Sequence, residues 1–302
     1  MKSNSFIPGN ETIIAQPWYE ITEDKIMTEG LCFDRTGENL YFVSVYEGKV
    51  MHMNMREKTC RVIYHSEGEV FGAVKVHRDG RLYVCSLGDL RWGGGIFSID
   101  PEGKNREEIV PPVCGFTVDD LAFDRDGSIL FTDIKGDVCD PCGGVYRVDP
   151  EDGRVTPFMP RLASPNGIAF TEDHKGVWVT EMNANRLLYG TLGESRKEAE
   201  VRVAAYLSGM NGPDSCCVDE QGNVYIAMYG QGRIQVVRRN GVPAGQILFP
   251  QSGKGNEMST ATAVIIPGAC ELLIGATDQT DGGTWLYKAS AIAPPARTFQ
   301  FL

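Results

Sequence analysis

The sequence predicts an all-β fold: a single six-bladed β-propeller over residues 1–302, with about four antiparallel strands to a blade. Three observations carry this. One pattern recurs six times, its starts about 43 to 48 residues apart. Each copy runs from a short apolar stretch through an Asp/Glu/Gly turn into an alternating, β-rich stretch. No sustained helical period of apolar residues appears outside short stretches.

In chain order, Glu29 opens EGLCFDRTGENLYFVSVYEGKV and Gly72 opens GAVKVHRDGRLYVCSLGD. Asp119 opens DDLAFDRDGSILFTDIKG, and Asn166 opens NGIAFTEDHKGVWVTEMNANRL. Asp214 opens DSCCVDEQGNVYIAMYGQGRI, and a weaker sixth copy, ATAVIIPGACELLIGATDQTDGG, starts at Ala261. DRTGEN, HRDGR, DRDGS, TEDHKG and DEQGN read as hairpin turns in which Gly supplies positive φ. LYFVSV, LYVCS, ILFTD, VWVTE and VYIAM read as strands rich in β-branched and aromatic residues. GGIFSID, GGVYRVD, NRLLYGTL and GRIQVV supply further strands. The N-terminal run TIIAQPWYEI is expected to lend a strand to the last blade, since an open ring would leave edge strands exposed.

Composition narrows the function classes. The net charge of -11, without a Lys/Arg-rich run, argues against nucleic-acid binding. No apolar run reaches the roughly 18 residues that a membrane span needs. The first 20 residues, broken by Pro, Asn and Glu, lack the apolar core of a secretory signal. Nine cysteines without framework spacing fit a reduced, cytoplasmic protein. Cys32, Cys85, Cys216, Cys217 and Cys270 are expected to pack as small hydrophobes in strand-like runs. Cys139 and Cys142 have CxxC spacing but no second ligand pair to complete a zinc site.

The innermost strand of each propeller blade lines the central channel, so residues at the repeat starts converge near the axis. Read in order these are Glu29, Gly72, Asp119, Asn166, Asp214 and the Ser259-Thr260 region. Asp214 sits in a Gly-Pro-Asp turn sequence, but turn chemistry does not explain four oxygen-bearing side chains aimed at one axis. Carboxylates gathered in a low-dielectric channel repel, and a hard divalent cation relieves that repulsion. Oxygen ligands favour calcium or magnesium, with manganese or zinc tolerated. A Ser-His-Asp hydrolase is disfavoured: no GxSxG elbow occurs, and Ser215 has no His nearby in sequence. His52, His65, His77 and His174 fall in strands or turns rather than at repeat starts, as packing or surface residues would.

The repeat pattern resembles the senescence marker protein/gluconolactonase/luciferin-regenerating enzyme family of metal-dependent lactonases. DDLAFDRDGSILFTD, CGGVYRVDP, NGIAFTEDHKGVWVTEMNANRL and GPDSCCVDEQGNVYIAMYGQGRI are similar to the drug-responsive lactonase branch known from staphylococci. The resemblance implies one divalent cation on the axis, Ca2+ first among the choices, with Mn2+, Mg2+ or Zn2+ as others. Its implied ligands are Glu29, Asn166 and Asp214, joined in that branch by Ser215. It implies Asp214 as acid and base in hydrolysis of a small-molecule lactone, and Asp119 as a residue orienting water or substrate. The branch also carries a second, structural calcium held in part by a Ser and an Asp. Trp92 and Pro111 stand at those positions here, so that site is expected to be missing or altered.

Loops rimming the channel mouth make Arg91, Trp92, Phe116, Met182, Asn183 and Tyr229 candidate substrate contacts, with Met228 and Gln231 beside them. Their aromatic and Met content hints at an apolar or aromatic lactone. Two alternatives stay open: the same cation site cutting another cyclic carbonyl compound such as a dione, and a propeller that binds without catalysis. Neither the oligomeric state nor the identity of the lactone is readable.

Overall fold

A computed structural model describes residues 11–250, 258–280 and 282–301. The first ten residues, part of the stretch read as lacking a secretory signal, lie outside the described residues. Six antiparallel sheets of four strands each are formed, with one extra strand, and together they make the six blades. The inner strands are Thr28–Phe33, Val70–Val76, Val118–Phe123, Pro165–Phe170, Pro213–Val218 and Met258–Ile265, in blades one to six. Five of the six repeat starts fall within one residue or two of an inner strand's first residue. The sixth inner strand begins at Met258, three residues ahead of the copy recognised in sequence. Among the described residues, helix is confined to two short 3-10 turns, Pro112–Cys114 and Phe299–Phe301. None is long and apolar enough to cross a membrane.

The N-terminal run does close the ring. Gln16–Thr22 pairs antiparallel with Thr284–Ser290 as the outermost strand of blade six. An additional strand, Glu11–Ile14, adds parallel to Pro243–Leu248 of blade five, a pairing the sequence pattern did not foretell. The N-terminal segment is thereby tied to both of the last two blades, covering the outer edge of each.

The hairpin turns take the expected conformation at Gly37, Gly80, Gly127 and Gly222, with φ between 71° and 91°. In TEDHKG the positive φ falls instead on His174, at 50°, while Gly176 lies in the following strand. Tyr189 explains that glycine: a Cβ on Gly176 would come within 2.1 Å of the Tyr189 hydroxyl. Cys85 and Cys216 are buried, and Cys32 and Cys217 partly so, but Cys270 is exposed. It precedes its strand in a turn, so the apolar run around it does not bury it.

His174 holds its strained conformation through a buried cluster at the blade three–four interface. Its Nδ1 lies 3.3 Å from Asp124 Oδ1, Arg196 Nε donates to Asp124 Oδ2 at 2.8 Å, and Arg196 Nη2 donates to the His174 carbonyl at 3.0 Å. Burial alone would raise the Asp124 pKa, but hydrogen bonds from His174 and Arg196 outweigh it and hold the carboxyl below its ordinary value. A depressed folded pKa stabilises above the unfolded value and loses that stabilisation as pH falls through the folded one. Asp124→Asn is therefore expected to cost about 2 kcal/mol at pH 7, discounted for the part-exposed Arg196. The gap between wild type and variant in urea titrations should shrink as pH falls below the unfolded carboxyl pKa of about 4 and close only below the depressed folded one; a gap unchanged down to the lowest pH at which both proteins fold would refute this role.

Candidate functional site

Every inner strand breaks register with its neighbour near its first residues. The shifts fall between Glu29 and Cys32, Phe71 and Ala73, Val118 and Leu121, Pro165 and Ile168, Pro213 and Cys216, and Ser259 and Thr262. Such bulges bend a strand and re-aim side chains, which is why they recur beside active sites. Here they coincide with the axial layer. The strands crowd closely: a Cβ on Gly72 would lie 2.4 Å from the Asp119 carbonyl oxygen, and one on Gly167 2.6 Å from the Cys216 nitrogen. Glycine at these two places lets neighbouring blades meet at the axis.

Glu29, Asp119, Asn166 and Asp214 are each at most 3% exposed. Asp214 Oδ1 accepts the Ser215 N–H at 2.9 Å, and its carboxyl lies beside the side chains of Glu29 and Asn166. Three oxygens of this layer, Asp119 Oδ2, Asn166 Oδ1 and Asp214 Oδ2, are buried without a hydrogen-bond partner. Burial, with Asp214 and Asp119 adding charge repulsion, pushes the Glu29 pKa well above the carboxylate range. Burial also raises Asp119, again with repulsion from Asp214 and Asp120. For Asp214, burial raises the pKa to about 7 against the opposing pull of Glu29, the Ser215 amide and Asn166. By itself the layer cannot hold all its carboxylates ionised.

Buried acceptors left without a hydrogen-bond partner fit a cation. Among the described residues, no group of three or more His, Cys, Asp or Glu side chains gathers at ligand spacing. A cation here would accordingly draw on the Asn166 amide oxygen as well as carboxylates. Directly below, Lys75 Nζ pairs with Asp120 Oδ1 at 2.8 Å, and Asp120 Oδ1 also accepts the Leu121 N–H at 2.8 Å. Burial disfavours the Lys75 charge, but Asp120 outweighs it and keeps the ammonium protonated.

Above the layer, a polar cavity of about 250 Å³ is lined by Lys25, Thr28, Tyr46, Tyr229, Ser259 and Gln279, among others. Of the six proposed substrate contacts, Tyr229 alone is among the residues lining it. Phe116 packs edge-on against Phe131 with ring centroids 5.1 Å apart. Asn183 Nδ2 donates to Ser164 Oγ at 2.7 Å and to the Gly136 carbonyl at 3.0 Å, and Met182 is half-buried. Arg91 and Trp92 are exposed in a loop of blade two. The Trp92 ring covers Gly115, whose carbonyl accepts a hydrogen bond from Lys135 Nζ. That ammonium also lies 3.4 Å from Asp133 Oδ1 and 5.7 Å from the Trp92 ring centroid. Pro111 precedes the adjoining 3-10 turn.

Tyr46 and Lys25 were not singled out in the sequence. Tyr46 lies two residues past the second strand of blade one, as Asn183 does past that of blade four, so aligning the copies would have found it. Lys25 stands outside the repeats, in the segment that crosses from blade six to blade one, where no periodicity points to it. Beneath the layer, a mainly apolar cavity of about 150 Å³ is floored by Pro295 to Gln300 and bordered by Leu31, Leu121, Ile168 and Ser215. Gln300 Nε2 donates to the Phe33 carbonyl at 2.9 Å, holding the C-terminal segment against the first inner strand at this end of the channel.

The chain is thus a six-bladed propeller with an acid- and amide-lined layer at the starts of its inner strands and a polar cavity above it. Residues 27–257 match the SMP-30/Gluconolactonase/LRE-like region, and the chain belongs to that family. It is 40% identical over 304 residues to Lactonase drp35 of Staphylococcus saprophyticus, covering 98% of this chain and 94% of that one. Two solved structures share the fold. A luciferin-regenerating enzyme superposes with a TM-score of 0.76 at 16% identity, covering 94% of this chain and 97% of its own. A calcium-binding protein, regucalcin, from Agrobacterium tumefaciens superposes with a TM-score of 0.72 at 16% identity, covering 96% and 100%.

Proposed function

We propose that the protein is a divalent-cation-dependent lactonase whose reaction centre is the axial layer of Glu29, Asp119, Asn166 and Asp214. Kinship with a named lactonase at 40% identity across nearly the whole chain makes it a hydrolase of carboxylic esters. The observation that carries the finer proposal is the set of buried oxygens without a hydrogen-bond partner on Asp119, Asn166 and Asp214, which a cation, or a donor from water or a ligand, would satisfy.

Glu29, Asn166 and Asp214 would hold the cation, with Ser215 beside them. When bound, it supplies Lewis-acid polarisation of the ester carbonyl and charge stabilisation for the developing oxyanion. The chain's own groups do the rest. Asp214 takes a proton from the attacking water and returns one to the leaving alkoxide as the ring C–O bond breaks. Asp119, in the same layer, orients the water or the lactone. Tyr46, Tyr229 and the Thr28 and Ser259 hydroxyls border the space a lactone would enter. Burial of the layer excludes bulk water and strengthens every electrostatic contact within it.

The test is pH-indicator hydrolysis of a lactone panel, from gluconolactone to dihydrocoumarin, on EDTA-stripped protein with Ca2+, Mn2+ or Zn2+ added back. Turnover restored by a cation is expected. Folded protein that turns over no lactone with any cation would overturn the proposal in favour of another cyclic carbonyl substrate or a binding role.

A further inference from the structure

The bulges that aim the axial side chains also strip the inner strands of ladder hydrogen bonds, and two buried hydroxyls take up the slack. Thr132, on the second strand of blade three, accepts the Asp120 N–H at 3.1 Å and donates to the Asn166 carbonyl of blade four at 2.7 Å. Thr180, on the second strand of blade four, accepts the Gly167 N–H at 2.8 Å and donates to the Asp214 carbonyl of blade five at 2.7 Å. Both threonines are 0% exposed. Each hydroxyl has one proton and two lone pairs, so each can serve both partners at once. The result is one unbroken line: the Asp119–Asp120 peptide, Thr132, Asn166–Gly167, Thr180, Asp214.

We propose that Thr132 and Thr180 are positioning residues that set the spacing between Asp119, Asn166 and Asp214, and with it the affinity of the layer for a divalent cation. Each of the three side chains on this line has a buried oxygen without a hydrogen-bond partner. No side-chain hydrogen bond fixes those oxygens, so their mutual distances depend on the backbone that the two hydroxyls tie together. The device is not a general feature of the blades. Register places Val43 of blade one and Ala227 of blade five at the equivalent positions, one residue before the partners of Thr28 and Pro213. Neither has a hydroxyl, and the blades that follow them contribute no carboxylate or amide to the layer. Hydroxyls stand ahead of Asn166 and Asp214, whereas blade six, ahead of Glu29, has Ala276 at the equivalent position, so the tie spans only the part of the layer that blades three to five supply. Such a hydroxyl is also high-stakes, because removing it leaves a buried N–H and a buried carbonyl unsatisfied.

This inference rests on the cation-dependent reading, and the experiment separates the two. Calcium, manganese and zinc binding would be measured by calorimetry on the EDTA-stripped full chain, for wild type, Thr132→Val, Thr180→Val and Thr180→Ser. Thermal stability of each stripped protein would be recorded alongside. The expected result is cation affinity at least tenfold weaker in each valine variant and within about threefold of wild type in Thr180→Ser. Loss of stripped-protein stability with unchanged affinity would show a merely structural role and overturn the inference. Wild type that binds no divalent cation would overturn the parent reading and this one with it. Should the valine variants not fold, Thr180→Ala replaces them. Affinity kept in Thr180→Ser and lost in Thr180→Ala supports the inference, and equal affinity in both refutes it.

Discussion

Asp214→Asn is expected to lower lactone turnover by roughly 10³-fold or more while leaving the fold intact. The carboxyl sits 1% exposed on the axis, with Oδ1 on the Ser215 amide and Oδ2 without a partner. Asparagine preserves the shape and can still accept from that amide. It can neither take up a proton from water nor bring a negative charge to a cation. General acid–base catalysis alone is worth about 10² to 10⁴, and the lost ligand charge adds to it. Unchanged melting behaviour of the stripped variant would confirm that chemistry rather than folding was removed. Turnover near the wild-type rate would remove Asp214 from the mechanism.

The second large effect is on stability. Saturating Ca2+ added to EDTA-stripped protein is expected to raise Tm by about 6 °C. The folded chain holds Glu29, Asp119 and Asp214 together at an unfavourable spacing, their pKa values raised chiefly by burial. The unfolded chain has no such site. A ligand at about a thousand times its Kd that binds only the folded state contributes roughly 4 kcal/mol, and each kcal/mol moves Tm by about 1.6 °C in a domain of this size. Differential scanning calorimetry across a Ca2+ series checks it. A Tm that ignores divalent cations would show that the layer tolerates its own charge by protonation alone.

Much of this was legible in the sequence because a propeller writes its fold as a repeat. Each blade buries its faces only against its neighbours, so the same grammar must recur, and the recurrence gave the blade count and the inner strands. The closing strand Gln16–Thr22 was legible for a related reason: a ring of hairpins needs its last edge covered. The parallel strand Glu11–Ile14 was not, since a four-residue run carries no sign of its partner across the chain. Positions near the axis followed from the repeat starts, but the mouth did not. Arg91, Trp92 and Phe116 looked like rim residues by loop position, whereas Trp92 lies over Gly115 and Phe116 packs on Phe131. Tyr46 took its place beside Tyr229, a position legible only by aligning one repeat copy with another. The aromatic hint toward an apolar substrate also meets a mouth lined by hydroxyls and an ammonium.

The sequence by itself determined the number of blades, the strand that begins each one and the oxygen-bearing residues that open four of them. These depend on periodicity and on residue type, which are local and countable. Only the tertiary structure decided that the opening residues are bulged, that Asp119, Asn166 and Asp214 end with unpartnered oxygens, and that Thr132 and Thr180 join one blade's bulge to the next. A hydrogen bond between residues 34 apart in the chain has no periodic trace. It exists because closing the ring brings neighbouring inner strands into contact at the axis, where a threonine on one blade can reach the backbone of the next.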